Sequence, residues 1–376
     1  MKKFWIWTAL AVVAAVVIAV VGTRRGGSSG DIRIGAVLPL TGDAASYGTS
    51  LKRGMDFAVL EINRQGGISG RKLAIIFEDS QADPSKAVSA FNKLVAADRV
   101  PMVIGDMFSA STLALAPIAE NKKVVLLSPT ASAVELTAAG DYIFRIYPSD
   151  TYDGNFLARY ITERLKARNV AILYLQVASI SALVGVFEKE FSSHGGNIVF
   201  TEAYQEGAID FRSQLLKARK ADPDLIFFPG YLREMAMLLR QARELGVSKP
   251  FVTISTFFDP KVLELAGDCA EGVLFSAPFF DPTSSKPEEQ KFCHGFHEQY
   301  NQPPDILAGY GYDAVNIAAE ALRRSDTFTS DGIKNALYTI KDYPGVTGQT
   351  SFDANGDVVK SMRIMQVRNG KFVPLD

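Results

Sequence analysis

Ile32-Arg33-Ile34-Gly35-Ala36-Val37-Leu38 stops at Pro39, and Leu51, Met55, Ala58, Val59 and Ile62 then recur at helical spacing until Gly66-Gly67. A short β-branched run reads as a strand, and apolar residues three and four apart turn one helix face toward a core. The closing glycines suit a helix C-terminus. Residues 73–77 form the next strand. Asp83-Pro84 then opens a helix, with Asp as N-cap and Pro at the first helical position. Ala87, Val88, Phe91, Leu94 and Val95 give that helix its core face. Residues 100–105, a helix from about Ser111, and residues 124–128 continue the alternation.

The same rhythm runs through the second half. Strands are expected at 170–175, 198–204, 225–228, 251–255 and 272–277. Helices are expected ending at His194-Gly195-Gly196, starting near Asp210, and at 231–245, 288–300, 308–324 and 331–340. The tail, 348–373, reads as short strands around an Asn355-Gly356 turn. Repeated strand–helix units make parallel sheets covered on both faces. There are too many for one modest sheet, and 376 residues predict two or three domains. The expected class is therefore α/β, with two doubly wound parallel-sheet lobes.

Composition narrows the function. Beyond the first 30 residues the chain holds 36 basic and 41 acidic side chains. That mildly acidic body argues against binding nucleic acid or anionic lipid through charge. Two cysteines and three histidines are too few for a structural zinc or iron–sulfur centre. At the N-terminus, Lys2 and Lys3 precede an apolar run, residues 4–21, interrupted only by Thr8. This reads as an export signal, either cleaved or retained as a membrane anchor, so the body is expected outside the cytoplasm. Val20-Val21-Gly22 resembles the end of a lipoprotein box, but Thr23 stands where lipidation needs Cys. Gly26-Gly27-Ser28-Ser29-Gly30 is a flexible tether. It matches a hydrolase nucleophile pattern only by accident, because no strand precedes it and no helix follows.

Ligands of open parallel sheets sit beyond the carboxyl ends of the strands. Two loops there are rich in hydroxyls: Gly105-Asp106-Met107-Phe108-Ser109-Ala110-Ser111-Thr112 and Ser128-Pro129-Thr130-Ala131-Ser132. They read either as ordinary helix caps or as an anion site built from hydroxyls and backbone N–H groups. Cys293, His294 and His297 share a helix but lack a further ligand, so no metal is expected. Asp353, Asn355 and Asp357 begin like a calcium loop, but Val358 and Ile364 occupy its glycine and glutamate positions, so a turn is the better reading. No phosphate loop, dinucleotide fingerprint or acid/base constellation is present. No cofactor and no enzymatic activity are expected.

Several strings carry a family resemblance. They are residues 32–42 with Tyr47-Gly48, residues 61–73 (Glu-Ile-Asn-Arg-Gln-Gly-Gly-Ile-Ser-Gly-Arg-Lys-Leu), residues 78–84 (Glu-Asp-Ser-Gln-Ala-Asp-Pro), Val103-Ile104-Gly105, Ser128-Pro129, residues 238–243 and residues 267–272. From Asp31 to the C-terminus the chain resembles the type I periplasmic binding proteins, in the leucine/isoleucine/valine-binding branch that serves ABC importers. The resemblance implies two lobes joined by three hinge crossings near Ser149, Pro278 and Lys360. Lobe 1 would be 31–149 with 278–360, and lobe 2 would be 150–277 with 361–376. It implies a monomer that captures a small carboxylate, foremost an amino acid, between its lobes and delivers it to an ABC permease. A sensor of non-amine organic or aromatic acids, signalling to another partner, is the alternative.

Carried over by position, the resemblance puts the ligand carboxylate on Ser109, with Ala110 beside it, and on Thr130 and Ser132. Tyr47 and Tyr231 would contribute one aromatic from each lobe. Two positions depart from the pattern. Ser255 stands where relatives place an acid for the ammonium, and Ser179-Ile180 replaces a Tyr-Gly pair. Either another acid reaches in, Asp153 or Asp281, or the ligand lacks an α-amino group. The cysteines of the disulfide seen in some relatives are absent near Gln81 and Phe108. Cys269 and Cys293 would pair with each other in an oxidising compartment, or remain two thiols.

Overall fold

The computed structural model describes residues 30–278, 280 and 286–375. The apolar N-terminal segment and Asp281 lie outside the described residues. Among the described residues no helix is long and apolar enough to cross a membrane.

The first part of the chain runs β1 (Ile32–Leu38), α1 (Ala45–Arg64), β2 (Leu73–Asp79), α2 (Pro84–Ala96), β3 (Met102–Gly105), α3 (Ser109–Lys122), β4 (Val125–Ser128) and β5 (Ile143–Arg145). The five strands are parallel in the order β2-β1-β3-β4-β5. The order reverses between β1 and β3, which makes a switch point there. Asp83 caps α2 as expected, its carboxylate accepting the Lys86 N–H with Pro84 just inside.

The chain then passes to a second core. This comprises α4 (Asp150–Glu163), β6 (Asn169–Leu175), α5 (Ala178–Ser193), β7 (Asn197–Tyr204), α6 (Arg212–Lys220), β8 (Leu225–Phe227), α7 (Leu232–Glu244), β9 (Phe251–Thr253), α8 (Pro260–Ala266) and β10 (Leu274–Pro278). α9 (Pro287–Tyr300), α10 (Ile306–Arg324), α11 (Ser330–Tyr338) and the small antiparallel sheet β11 (Tyr343–Gly345), β12 (Gly348–Phe352) and β13 (Val358–Val359) follow. Finally β14 (Met362–Arg368) and β15 (Lys371–Leu375) join the second sheet antiparallel, in the order β15-β14-β10-β9-β8-β6-β7.

Packing shows which segments belong together. The core between Leu157 and Ala277 takes in Ile364, Met365 and Val367 of β14. The core of the first sheet takes in Tyr310, Ile317, Leu322 and Phe352. Helices α1 and α10 meet almost backbone to backbone. A Cβ on Gly54 would lie 1.9 Å from the Ala308 carbonyl oxygen, and one on Gly311 would lie 2.1 Å from that of Leu51. Glycine is needed at both positions because any side chain would push these helices apart.

Strand β5 and helix α4 have no counterpart in the sequence reading, two further elements differ from it, and the alternative left open for the cysteines is decided. Helix α3 starts at Ser109, two residues early, because its N-cap is Phe108, which makes no side-chain cap bond. The 260–266 helix was not anticipated. Its signal, Asp259 capping Lys261 N–H with Pro260 at the first position, is brief and lacks a long apolar period. Cys269 and Cys293 are not joined: Cys269 packs against the second core, whereas Cys293 lies in a separate aromatic cluster with Phe57, Phe292 and Phe296.

Candidate functional site

The loops after β3 and β4 lie side by side. The Ser109 hydroxyl oxygen accepts the N–H groups of Ser132 at 3.3 Å and Ala133 at 3.2 Å. Both lone pairs are thereby used, and the hydroxyl hydrogen is left to donate. Thr130 donates to the Met107 carbonyl at 2.9 Å, and Ser128 donates to the Asp106 carbonyl at 2.8 Å. Neither Ser109 nor Ser132 is a helix N-cap: Phe108 and Ala133 hold those places. The serine–threonine loops therefore knit to one another rather than capping helices. Ala110 is exposed next to Ser109. Tyr47, in the first turn of α1, is 43% exposed, which suits a contact filled only by a ligand.

The second sheet presents its own strand ends. Ser179 lies in the first turn of α5 after β6, Tyr231 is the exposed N-cap residue of α7 after β8, and Ser255 follows β9. The two groups meet at the base, where the Tyr147 and Ser255 hydroxyls are 2.9 Å apart. Tyr147 packs on Tyr310, ring centroids 5.2 Å apart. Ser255 is thus engaged by a tyrosine from the first core, at the position where the resemblance places an acid. On another side, α5 touches the 3₁₀ turn Val134–Ala138. The strand-end regions of the two sheets are therefore in contact at Tyr147–Ser255 and between α5 and the 3₁₀ turn.

Two acids stand at the start of α4. Ser149 caps α4 by accepting the Tyr152 N–H, so Asp150 and Asp153 fall in its first turn, one turn apart. Asp150 donates its N–H to the Ser132 carbonyl at 2.8 Å. Its residue keeps a half-buried edge, but protein surrounds the carboxyl. That desolvation pushes it up to about 7, with Asp153 adding to the rise and the Ser132 hydroxyl and Arg145 opposing it. Arg145 is itself engaged, 2.6 and 2.9 Å from the two Asp357 oxygens. Asp153 is buried, which also pushes it up to about 7. The Ser276 hydroxyl lies beside it and lowers it somewhat, yet one Asp153 oxygen has no hydrogen bond of ordinary geometry.

Sequence reasoning named Asp153 and passed over Asp150. Both are first-turn acids after an N-cap serine, and only the fold shows which adjoins the Ser132 loop. The signal was the run Pro148-Ser149-Asp150 at the expected crossing.

Replacing Ser109 by Ala should cost about 1 kcal/mol of stability, because two part-buried N–H groups lose their acceptor. It should weaken capture of a carboxylate ligand roughly 10–100-fold. Calorimetry and thermal melts on the same variant check both. Unchanged affinity would remove Ser109 from the site.

Comparison with known proteins bears on the whole chain. The family model described as periplasmic binding protein matches residues 31–371. The leucine-, isoleucine-, valine-, threonine- and alanine-binding protein of Pseudomonas aeruginosa is 29% identical over 328 residues, 87% of each chain. The branched-chain amino acid transporter substrate-binding protein of Streptococcus pneumoniae, solved in complex with isoleucine, is 31% identical. It superposes with a TM-score of 0.79 over 92% of this chain and all of that one. A substrate-binding protein of Desulfitobacterium hafniense in complex with Leu is 28% identical, with a TM-score of 0.80 over 92% of this chain and all of that one. With two parallel-sheet cores and a family match spanning nearly every described residue, the chain belongs to the periplasmic binding proteins.

Proposed function

We infer that this protein captures an α-amino acid between its lobes and delivers it, outside the cytoplasm, to an ABC permease. The observation that carries the reading is the placement of Asp150 against the Ser132 loop. The carboxylate and ammonium of an α-amino acid are separated by one carbon, so hydroxyl donors and an acid must converge on one spot. Ser109, with its hydroxyl hydrogen available, the exposed backbone at Ala110, and Ser132 receive the carboxylate. Thr130 holds the loop from behind. Asp150 pairs the ammonium in place of the acid that Ser255 does not supply. Tyr47, Ser179 and Tyr231 enclose the side chain. The relatives that bind leucine, isoleucine and valine support an aliphatic ligand.

Closure follows from contacts on both sides. Residues 31–149 with 278–360, and 150–277 with 361–376, move as two bodies about crossings near Ser149, Pro278 and Lys360, and the ligand favours the closed arrangement. The protein acts as a monomeric binder and not as an enzyme.

A thermal-shift and calorimetry panel of amino acids against their deaminated counterparts tests the ligand class. A ligand at 100 times its dissociation constant should stabilise the protein by about 2.7 kcal/mol. Amino acids should do so and the deaminated acids should not. The reverse result would overturn the role of Asp150.

The same acid makes binding pH-dependent. Its carboxyl titrates near pH 7 without ligand, and the ammonium favours the ionised form. Binding below that point must release a proton. Affinity should therefore fall by up to about tenfold per pH unit from pH 7 to 5 and level off above about pH 8. Asp153 adds to the rise of Asp150, so its own ionisation shifts the midpoint. A dissociation constant that stays constant from pH 5 to 8 would contradict this assignment.

A further inference from the structure

Two hydroxyls tie the strand-end regions of the two sheets together directly. Tyr147 follows β5 and packs against the first core, while Ser255 follows β9, next to Ile254 of the second core. Their oxygens are 2.9 Å apart, although 108 residues separate them along the chain. Each hydroxyl can donate and accept, so the bond needs no ion and no third group. Burial holds the Tyr147 hydroxyl well above its ordinary value; the Ser255 hydroxyl opposes the rise, and Asp153 and Asp150 add to it. Tyr147 therefore stays neutral at physiological pH, and the tie does not depend on its ionisation.

Each partner is fixed to a different half of the candidate site. Ile146, next to Tyr147, donates its N–H to the Ser128 carbonyl at 3.1 Å, at the head of the loop that carries Thr130 and Ser132. The Tyr147 ring is itself held by Tyr310 of α10, 5.2 Å between centroids. On the other side Thr256, next to Ser255, donates its hydroxyl to the Gly230 carbonyl at 2.7 Å, immediately before Tyr231. Gly230 has no room for a side chain, since a Cβ there would lie 2.1 Å from the Tyr204 hydroxyl. A pull on the Tyr147–Ser255 bond thus passes to the Ser132 loop in one direction and to Tyr231 in the other. Drawing those two loops apart breaks the bond.

A hydrogen bond between neutral groups contributes modestly, because the parted hydroxyls bond to water instead. It is strong enough to bias an equilibrium between two arrangements and weak enough to let a ligand leave. We propose that Tyr147 and Ser255 are positioning residues for capture, their hydroxyl pair being a latch that draws the two halves of the site together before a ligand arrives. The latch rests on the two-lobe capture inferred above, and it acts on the equilibrium between arrangements rather than on the ligand. Apparent affinity scales with the fraction of protein already in the binding arrangement, so losing the latch lowers affinity without removing a ligand contact.

Small-angle scattering and calorimetry, with L-leucine as the probe, test it. Without leucine, Tyr147→Phe and Ser255→Ala should each show a larger radius of gyration than wild type. At saturating leucine all three radii should coincide. Each variant should bind leucine about 2- to 10-fold more weakly than wild type. The double variant should bind no more weakly than either single one, because both substitutions remove the same bond. A leucine-free radius equal to that of wild type in either variant would overturn the latch, and so would losses that multiply in the double variant. Failure of wild type to bind leucine would count against the proposed ligand class instead, and the leucine-free radii would still decide the latch.

Discussion

Asp150→Asn should weaken binding of an α-amino acid by about 30- to 1,000-fold, corresponding to roughly 2–4 kcal/mol. The ammonium would lose the charged partner proposed for it next to the Ser132 loop and sit partly desolvated. The unliganded variant should not be less stable than wild type. In the folded protein the Asp150 carboxyl titrates near 7, well above its value in an unfolded chain. A raised carboxyl binds more protons folded than unfolded, so its ionised form costs stability above the unfolded value, increasingly until about pH 7. Asn removes that cost. The variant should melt above wild type at pH 8 and lose the advantage near pH 4, while its affinity is low at every pH. Thermal melts at both pH values, with calorimetry, separate a lost ligand contact from a damaged fold. A variant that binds amino acids within threefold of wild type would sink the ammonium assignment.

The second large effect lies at Lys360, between β13 and β14. The Lys360 side chain is fully buried, and its Nζ lies 2.6 Å from the Thr347 hydroxyl, 3.9 Å from an Asp313 oxygen and 5.0 Å from the Tyr310 ring centre. It also donates at 3.4 Å to the carbonyl of Ile146, just after β5. Burial pushes the amine down to about 8, while Asp313 works against that fall. Asp313 in turn accepts the N–H groups of Val346 and Thr347, both at 2.9 Å. Lys360→Met keeps the volume but leaves the Asp313 carboxyl buried without a cation. Breaking a buried pair from one side costs about 3–5 kcal/mol. At about 2–4 °C per kcal/mol for a large domain, the melting temperature should drop by roughly 10 °C. Differential scanning calorimetry reads this directly, and a drop under about 2 °C would show that the pair carries no net stability. If the proposed crossings near Ser149 and Lys360 act as hinges, the variant should also bind more weakly than its stability loss explains, because Lys360 joins Ile146 to Thr347.

Much of this architecture can be read without coordinates. The alternation of β-branched runs with three-and-four-spaced apolar residues reports burial, and burial on both sheet faces requires the parallel arrangement. Asp83-Pro84 announces α2 because capping is local chemistry, complete within four residues. The hydroxyl-rich loops at 105–112 and 128–132 were legible as candidates because they follow strands, where ligands of such sheets sit. Helix α8 was not legible, since seven residues hold too little periodicity to stand out.

What the sequence determined on its own is whatever depends on neighbours along the chain: the α/β class, the strand–helix order, the caps, the absence of an acid at Ser255 and the family to which these strings belong. What only the tertiary structure decided is whatever depends on residues far apart in number. Nothing local says that Ser109 spends both lone pairs on Ser132 and Ala133, that Tyr147 reaches across to Ser255, or that Cys269 and Cys293 lie in different cores. Asp150 and Asp153 are equivalent by every local rule, two acids in the first turn of one helix. A helix turns about 100° per residue, so two acids three apart stand about 60° apart on one face, yet one adjoins Ser132 and the other is buried beside Ser276. Which of them adjoins Ser132 and which lies beside Ser276 is set by how α4 packs on α5 and the second core, which no local rule contains.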